Sequence, residues 1–384
     1  MGQPFADRIV QAAIVLKLAM TRIVTLLGGT PEQQTALGLA IAQWFAGQQQ
    51  QTLLAVPSPA TSLQFLIGSS EQVIGWQPKL LSERLAIAEL LATESLNAAW
   101  QELNRLVEPY LPQELVGKVY AAELVILPGM DTLLTLNALR VHYSSGEYDV
   151  IVYAGGNSQD TLRLIGLPQG LAWYYRRFQR LLDQLDLNAI ANAIGGPIAS
   201  AIMAANIDTQ KVRERFAEAK EWVDRGVKIA ADPQRLSVYL LTDTTAISTA
   251  QTQWLWGSAQ QVNVPISEVF CMGEPTPEVS RTFAPLRISA LPKDWSNWQR
   301  LVSYLPDLNQ LGVAPAPHEF DETQQQVRIF LPGFRKEQVK LSEFSGELTV
   351  EAGDQRRHIE LPPSLKGKPV RGGKFEAPYL IVSF

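Results

Sequence analysis

With Cys271 the only cysteine in 384 residues, the chain has no partner for an internal disulfide and cannot form a Cys-x-x-Cys zinc clip. That scarcity favours a reducing compartment, read here as cytoplasmic or plastid-stromal. Histidine is nearly as scarce. His142, His318 and His358 stand far apart in the chain and no cysteine lies beside them, so no metal site is expected. Lysine and arginine form no long cluster and the formal net charge is −5, so nucleic acid is not an expected partner. No serine or cysteine nucleophile has a recognisable base beside it, and Cys271, on an apolar strand, reads as core. A convincing signal peptide is also missing: Asp7, Arg8 and Lys17 break up the apolar stretch Ala12 to Leu16, and no small-residue cleavage site follows. Residues 1–19 are expected to be an extension ahead of the fold.

Hydrophobic residues make up 46% and charged residues 18%, a globular and not a disordered composition, and the length suggests two or three domains. Ile23 to Leu27 is a short apolar run closed by Gly28 and Gly29. After it Ala36, Leu37, Ala40, Ile41, Trp44 and Phe45 recur at helical spacing, and Leu53 to Val56 forms a second run before Pro57. The unit is βαβ. Further apolar runs at Leu124 to Leu127, Val150 to Tyr153, Leu236 to Leu241, Glu268 to Met272 and Leu286 to Ala290 are continuous instead of alternating, as expected of strands buried on both faces. Helical patterns fill Ser82 to Leu106 and Gln210 to Ala231. The expected fold is a doubly wound, mostly parallel α/β sheet over residues 20–305, with a helical subdomain at about 76–122 and 170–231.

Leu187 to Ile207 contains no charged residue. Its length would just span a bilayer, but Asn188, Asn192, Ser200 and Asn206 recur through it and Gly195-Gly196-Pro197 should break a helix midway, so the protein is not expected to span a membrane. A buried helix pair or loop, or a surface for apolar partner helices, remain the readings. On the second, Leu187, Ile190, Ile194, Ile198, Ile202 and Met203, with Trp173 and Phe178 just before them, are the candidate client-binding residues.

Proline and irregular sequence at 306–316 mark a linker. A different pattern follows in 317–384. Val327, Ile329 and Leu331 alternate, as do Val339 and Leu341, Leu348 and Val350, and Leu380 and Val382, with glycine at turns. This pattern predicts an all-β antiparallel sandwich.

The first strand, loop and helix have the layout of a P-loop nucleotidase. With Leu127-Pro128-Gly129-Met130-Asp131, Tyr148 to Pro168 and Leu236 to Gln261 in order, the chain resembles the ArsA family. That family includes arsenite-pump ATPases and the guided-entry ATPases that carry tail-anchored membrane proteins; the likeness is to a cyanobacterial or plastid-type member. In the family the loop reads Gly-Lys-Gly-Gly-x-Gly-Lys-Thr: glycines let N–H groups close on phosphates, lysines neutralise charge, and threonine holds Mg. Here it reads Gly28-Gly29-Thr30-Pro31-Glu32-Gln33-Gln34-Thr35, with Gly29 and Gln34 at the lysine positions. The first switch, Thr-Asp-Pro-Ala-His in the family, is Pro57-Ser58-Pro59-Ala60-Thr61. The second keeps only Thr161, Leu162 and Arg163, with Ala154 where the family has its Asp. Phosphoryl transfer depends on those lysines, the metal and the water-orienting carboxylate. The resemblance therefore implies a pseudo-ATPase, with Gly28, Gly29, Thr30, Gln34, Thr35 and Ala36 as a degenerate nucleotide-binding set. No cofactor is expected to be required, although the N–H groups could still meet ATP with Mg. The alternative is a nucleotide-dependent ATPase or switch that works with the altered loop.

The C-terminal segment is similar to the α-crystallin domain of small heat-shock proteins, through Val327 to Leu331 with Pro332-Gly333-Phe334, Gly346 to Val350, Leu361-Pro362 and Tyr379 to Phe384. The resemblance implies recognition of a hydrophobic polypeptide or membrane-protein client, or docking onto the chain's own helices. The family's Ile-x-Ile tail is not in the sequence, so large assemblies are not expected; a homodimer is the ArsA habit.

Overall fold

The computed structural model describes residues 21–68, 74–107, 120–184, 209–310, 312–344 and 346–384. The expected extension at 1–19 and the uncharged segment, with Leu187, Ile190, Ile194, Ile198, Ile202 and Met203, lie outside the described residues.

An eight-stranded sheet forms the centre of the larger unit. Its strands are β1 (Arg22–Gly28), β2 (Thr52–Pro57), β3 (Lys79–Ser82), β4 (Leu85–Leu90), β5 (Val150–Tyr153), β6 (Leu236–Asp243), β7 (Ile266–Met272) and β8 (Ile288–Leu291), in the order β3-β4-β2-β5-β1-β6-β7-β8. All pairings are parallel except the antiparallel edge pair β3–β4. Continuous apolar runs suit this sheet because both faces are covered. One face, with Val24, Leu26 and Leu54, packs on α1 (Pro31–Gly47) through Leu37, Ile41 and Phe45. The other face packs with residues of α4 (Met130–Ser145), α5 (Ser158–Gln184) and α7 (Ala246–Gln261). Here α2 is Thr61–Leu66, α3 is Ala92–Val107 and α6 is Thr209–Ala231. Beyond α7 come α8 (Pro277–Phe283) and α9 (Trp298–Val302).

Two expectations are corrected. The helical pattern at Ser82 to Leu106 divides into β4, which pairs with β2, and α3. Leu-Ala-Ile-Ala-Glu-Leu is short and alanine-rich, and such an apolar run satisfies a buried strand as well as a helix. Leu124 to Leu127 is not a strand. It follows a 3-10 turn at Ala121–Glu123, and Val125 and Leu127 are exposed, so its apolar side chains are not used by the sheet.

The C-terminal unit is the expected antiparallel sandwich. One sheet has the order β14-β15-β10-β9, from β9 (His318–Asp321), β10 (Gln326–Phe330), β14 (Gly372–Glu376) and β15 (Tyr379–Ser383). The other is β11 (Val339–Phe344), β12 (Glu347–Ala352) and β13 (Gln355–Glu360). Alternation sends Val327, Ile329, Leu348, Val350 and Val382 into the space between the sheets, where each is fully buried. Phe330 points the other way and joins the core beneath the large sheet, with its ring 5.2 Å from Trp256 of α7. The two units therefore share apolar packing.

Candidate functional site

The glycine loop lies at the C-terminal end of β1, the end of a doubly wound sheet where ligands bind. Gly28 (φ 92°) and Gly29 (φ 65°) are left-handed, and a Cβ on Gly28 would stand 2.3 Å from the Leu241 carbonyl oxygen, so only glycine fits. Helix α1 begins directly after. Thr30 is its N-cap, Pro31 takes the first turn, and Thr30 and Gln33 form a reciprocal capping box: Gln33 N–H donates to Thr30 Oγ1 (3.3 Å) and Thr30 N–H to Gln33 Oε1 (2.9 Å).

This local chemistry closes the loop on itself. Gln34, at a lysine position, is 2% exposed; its Nε2 donates to the Gly28 carbonyl (2.9 Å) and to Ser158 Oγ (3.2 Å). Ser158 Oγ also accepts the Gly28 N–H at 2.9 Å. Thr35, at the metal-ligand position, is buried and donates its hydroxyl back to the Pro31 carbonyl (2.8 Å). The N–H groups of Gly28, Thr30 and Gln33 thus already have partners inside the protein, and Pro31 has none to offer. The exposed Glu32 sits in the first turn, its carboxyl held below the usual range chiefly by the Thr30 side chain, so the positive end of α1 faces an anion already. Ala36 does not face the loop; it is fully buried in the core.

The switch positions agree. Ala154 is buried at the end of β5, and a Cβ on Gly38 would lie 2.3 Å from the Ala154 methyl, so helix and strand meet where the family's carboxylate would project. Gly155 is equally tight, with its Cβ position 2.4 Å from Thr35 Oγ1. Ser58 is exposed and carries no carboxylate. Asp243 Oδ1, at the end of β6, accepts from the N–H and hydroxyl of Thr245 (2.7 and 2.6 Å), which holds in place the N-cap residue of α7. The residues present therefore do not fit a magnesium nucleotide: Gly29 and Gln34 stand at the lysine positions, Ala154 and Ser58 bring no carboxylate, and the N–H groups of Gly28, Thr30 and Gln33 are already bonded within the protein. No cluster of metal-ligating side chains occurs among the described residues.

Of the candidate client residues, Trp173 has a defined place. It lies on α5, donates Nε1–H to Glu347 Oε2 (3.1 Å) on β12, and stacks on His358 of β13 with ring centroids 4.1 Å apart and planes 12° from parallel. Phe178 lies on the same helix. Between α5 and the outer face of β11–β12–β13 runs a groove of about 580 Å³, lined by Trp173, Arg177, Leu341, Phe344, Glu347 and His358 among others. Phe344 is 62% exposed there. Sequence reasoning missed Ser158, Glu347 and His358. Only Ser158 carried a signal, its place in the second switch.

A parallel sheet with a glycine loop at a strand end and a helix directly behind it defines a P-loop NTPase-like protein, here with an all-β domain appended. The chain belongs to the ArsA family: residues 22–273 match the anion-transporting ATPase family and residues 322–384 the HSP20-like domain found in ArsA. It is similar to a protein of Aquifex aeolicus (strain VF5) named arsenical pump-driving ATPase 1, with 22% identity over 342 residues covering 79% of this chain and 84% of that one. Proteins of Prosthecochloris vibrioformis and Chlorobaculum tepidum named arsenical pump-driving ATPase are each 30% identical over 152 residues, 40% of this chain and 37% of their own length. No described helix is long and apolar enough to cross a membrane.

Proposed function

We propose that this ArsA-family member is a pseudo-ATPase that acts by binding polypeptide, taking an unfolded segment or apolar helix at the groove between α5 and the HSP20-like sandwich. The observation that carries the first half is the internal closure of the loop by Gln34 and Ser158. The second half is supported by the groove itself, whose size lies in the range of ligand sites and whose wall sets the aromatic rings of Trp173 and Phe344 among charged and polar side chains. A homodimer and a cytoplasmic or plastid-stromal location belong to the same reading. Its supports are the family habit and a lone cysteine, Cys271, buried and pushed up to about 11.

Calorimetry with Mg·ATP and Mg·ADP tests the loop. Binding no tighter than about millimolar, roughly 4 kcal/mol, is expected, and micromolar affinity overturns the pseudo-ATPase half. The client half is tested with a permanently unfolded polypeptide and a leucine-alanine helix peptide, both fluorescently labelled. Micromolar binding of at least one, weakened about tenfold by Trp173→Ala, is expected; that is about 1.4 kcal/mol. Retention of neither overturns it. The second reading, a nucleotide-dependent ATPase or switch, draws on the names of the relatives and on the surviving Gly28 and Thr35. The same calorimetry separates the two.

A further inference from the structure

Two helices run from the closed loop to the HSP20-like sandwich. Helix α7 carries Thr252, whose hydroxyl donates to the Leu241 carbonyl (3.1 Å), and this hydroxyl and carbonyl are the atoms a Cβ on Gly28 would strike. The next residue, Gln253, meets the sandwich: a Cβ on Gly333 would lie 2.7 Å from the Gln253 carbonyl carbon and oxygen. Further along the same helix, a Cβ on Gly257 would lie 2.1 Å from the Pro332 carbonyl oxygen and 2.7 Å from the Phe334 ring. The Pro332-Gly333-Phe334 turn is therefore seated on α7 backbone to backbone. At the end of α7, Arg357 of β13 donates to the Gln260 carbonyl and to Asn263 Oδ1, both at 3.0 Å. Helix α5 repeats the arrangement. Ser158 at its start holds Gly28 and Gln34, Arg163 pairs with Asp354 of the sandwich (2.8 Å), and Trp173 meets Glu347 and His358.

We propose that the sandwich is an intramolecular clamp that holds the vestigial loop closed through α7 and α5, its turn face committed to the chain's own helix as partner. Contacts made through glycine leave no room for the parts to slide independently, because packed interfaces switch between discrete arrangements and do not deform smoothly. Lifting the sandwich from α7 then frees Thr252 and loosens residues 28–35. By linkage, opening the loop weakens the seat of the sandwich by the same factor. A polypeptide that displaced the sandwich would be felt at the loop with no nucleotide present.

Hydrogen exchange of the full-length chain read by mass spectrometry, with Gly257→Ala, is the test. In a helix alanine is favoured over glycine, so α7 keeps its structure while the added methyl group presses the Pro332 carbonyl away. The amides of 28–35 are expected to exchange at least about fivefold faster than in the unaltered protein, with those of β2 unchanged. Loop exchange that stays put while the Leu331–Phe334 turn exchanges faster overturns the clamp. If β2 loosens equally, the fold itself has suffered, and Arg357→Lys decides: it keeps the charge but loses the forked contacts. Faster exchange at 28–35 in that variant supports the clamp, and unchanged exchange there overturns it. The readout needs neither nucleotide nor polypeptide client, so failure of the clamp and failure of the binding function are told apart.

Discussion

At the scale of single residues, Ser158 and Gln34 occupy the loop backbone from within: Ser158 Oγ takes the Gly28 N–H and Gln34 Nε2 donates to the Gly28 carbonyl. Removing the hydroxyl leaves a buried N–H and a buried amide donor short of an acceptor. Ser158→Ala should cost about 1–2 kcal/mol, read as a lower urea midpoint at unchanged slope. On the proposed pseudo-ATPase reading, supplying the missing charge should not produce catalysis. In Gln34→Lys an ammonium would enter a site 2% exposed, while Ala154 and Ser58 still offer no carboxylate. Phosphate release from Mg·ATP is expected to stay at background, because phosphoryl transfer needs all of these groups placed at once. The loss of both lysines could be read from the sequence, since it is a matter of residue identity at fixed spacing. That the loop would fold shut on Ser158 could not, because the two residues are distant in the chain and meet only when β1 and β5 pair.

At the scale of elements the same division holds. Strands β1, β2, β6 and β7 and the sandwich strands β10, β11, β12 and β15 are legible because their apolar patterns leave few alternatives, whereas β9, β13 and β14 carry no such alternation, and Leu85 to Leu90 and Leu124 to Leu127 mislead because a short apolar run has no period of its own. Helix α7 shows what sequence cannot reveal locally. Its last turn carries no basic residue, and the guanidinium that meets its Gln260 carbonyl is Arg357, from the other domain. Burial pulls Arg357 down to about 10, which measures how costly its charge is there, yet three acceptors meet it: the Gln260 carbonyl, Asn263 Oδ1 and His318 Nδ1. Arg357→Met removes the buried charge but takes the donor from Asn263 Oδ1 and His318 Nδ1, while the Gln260 carbonyl keeps the Asn263 N–H at 3.1 Å. The second effect outweighs the first, and a net loss of about 2 kcal/mol is expected in urea unfolding.

At the scale of the whole molecule, this junction should make cohesion of the two domains depend on acidity. His318 is held at about 4, well below its ordinary 6.5, first because burial disfavours the imidazolium and then because the Arg357 guanidinium lies 2.8 Å away. His358, stacked on Trp173, and the buried His142 are lowered too, each chiefly by burial. A base whose folded value is depressed is neutral in the native state while the unfolded chain takes up a proton, so stability falls as pH drops. The loss begins near 6.5, where an unfolded histidine protonates, and is complete near 4, where native His318 protonates as well; above about 6.5 the group contributes nothing. His318 is partly open to solvent, so its share should be about 1–2 kcal/mol. Urea midpoints compared at pH 7.5 and 5.0 should therefore fall on acidification. His318→Gln, which offers Arg357 an uncharged acceptor, should shrink that fall without abolishing it, since His142 and His358 titrate in the same direction. An equal fall in both proteins would mean that the neutral His318 is not what couples the junction to pH.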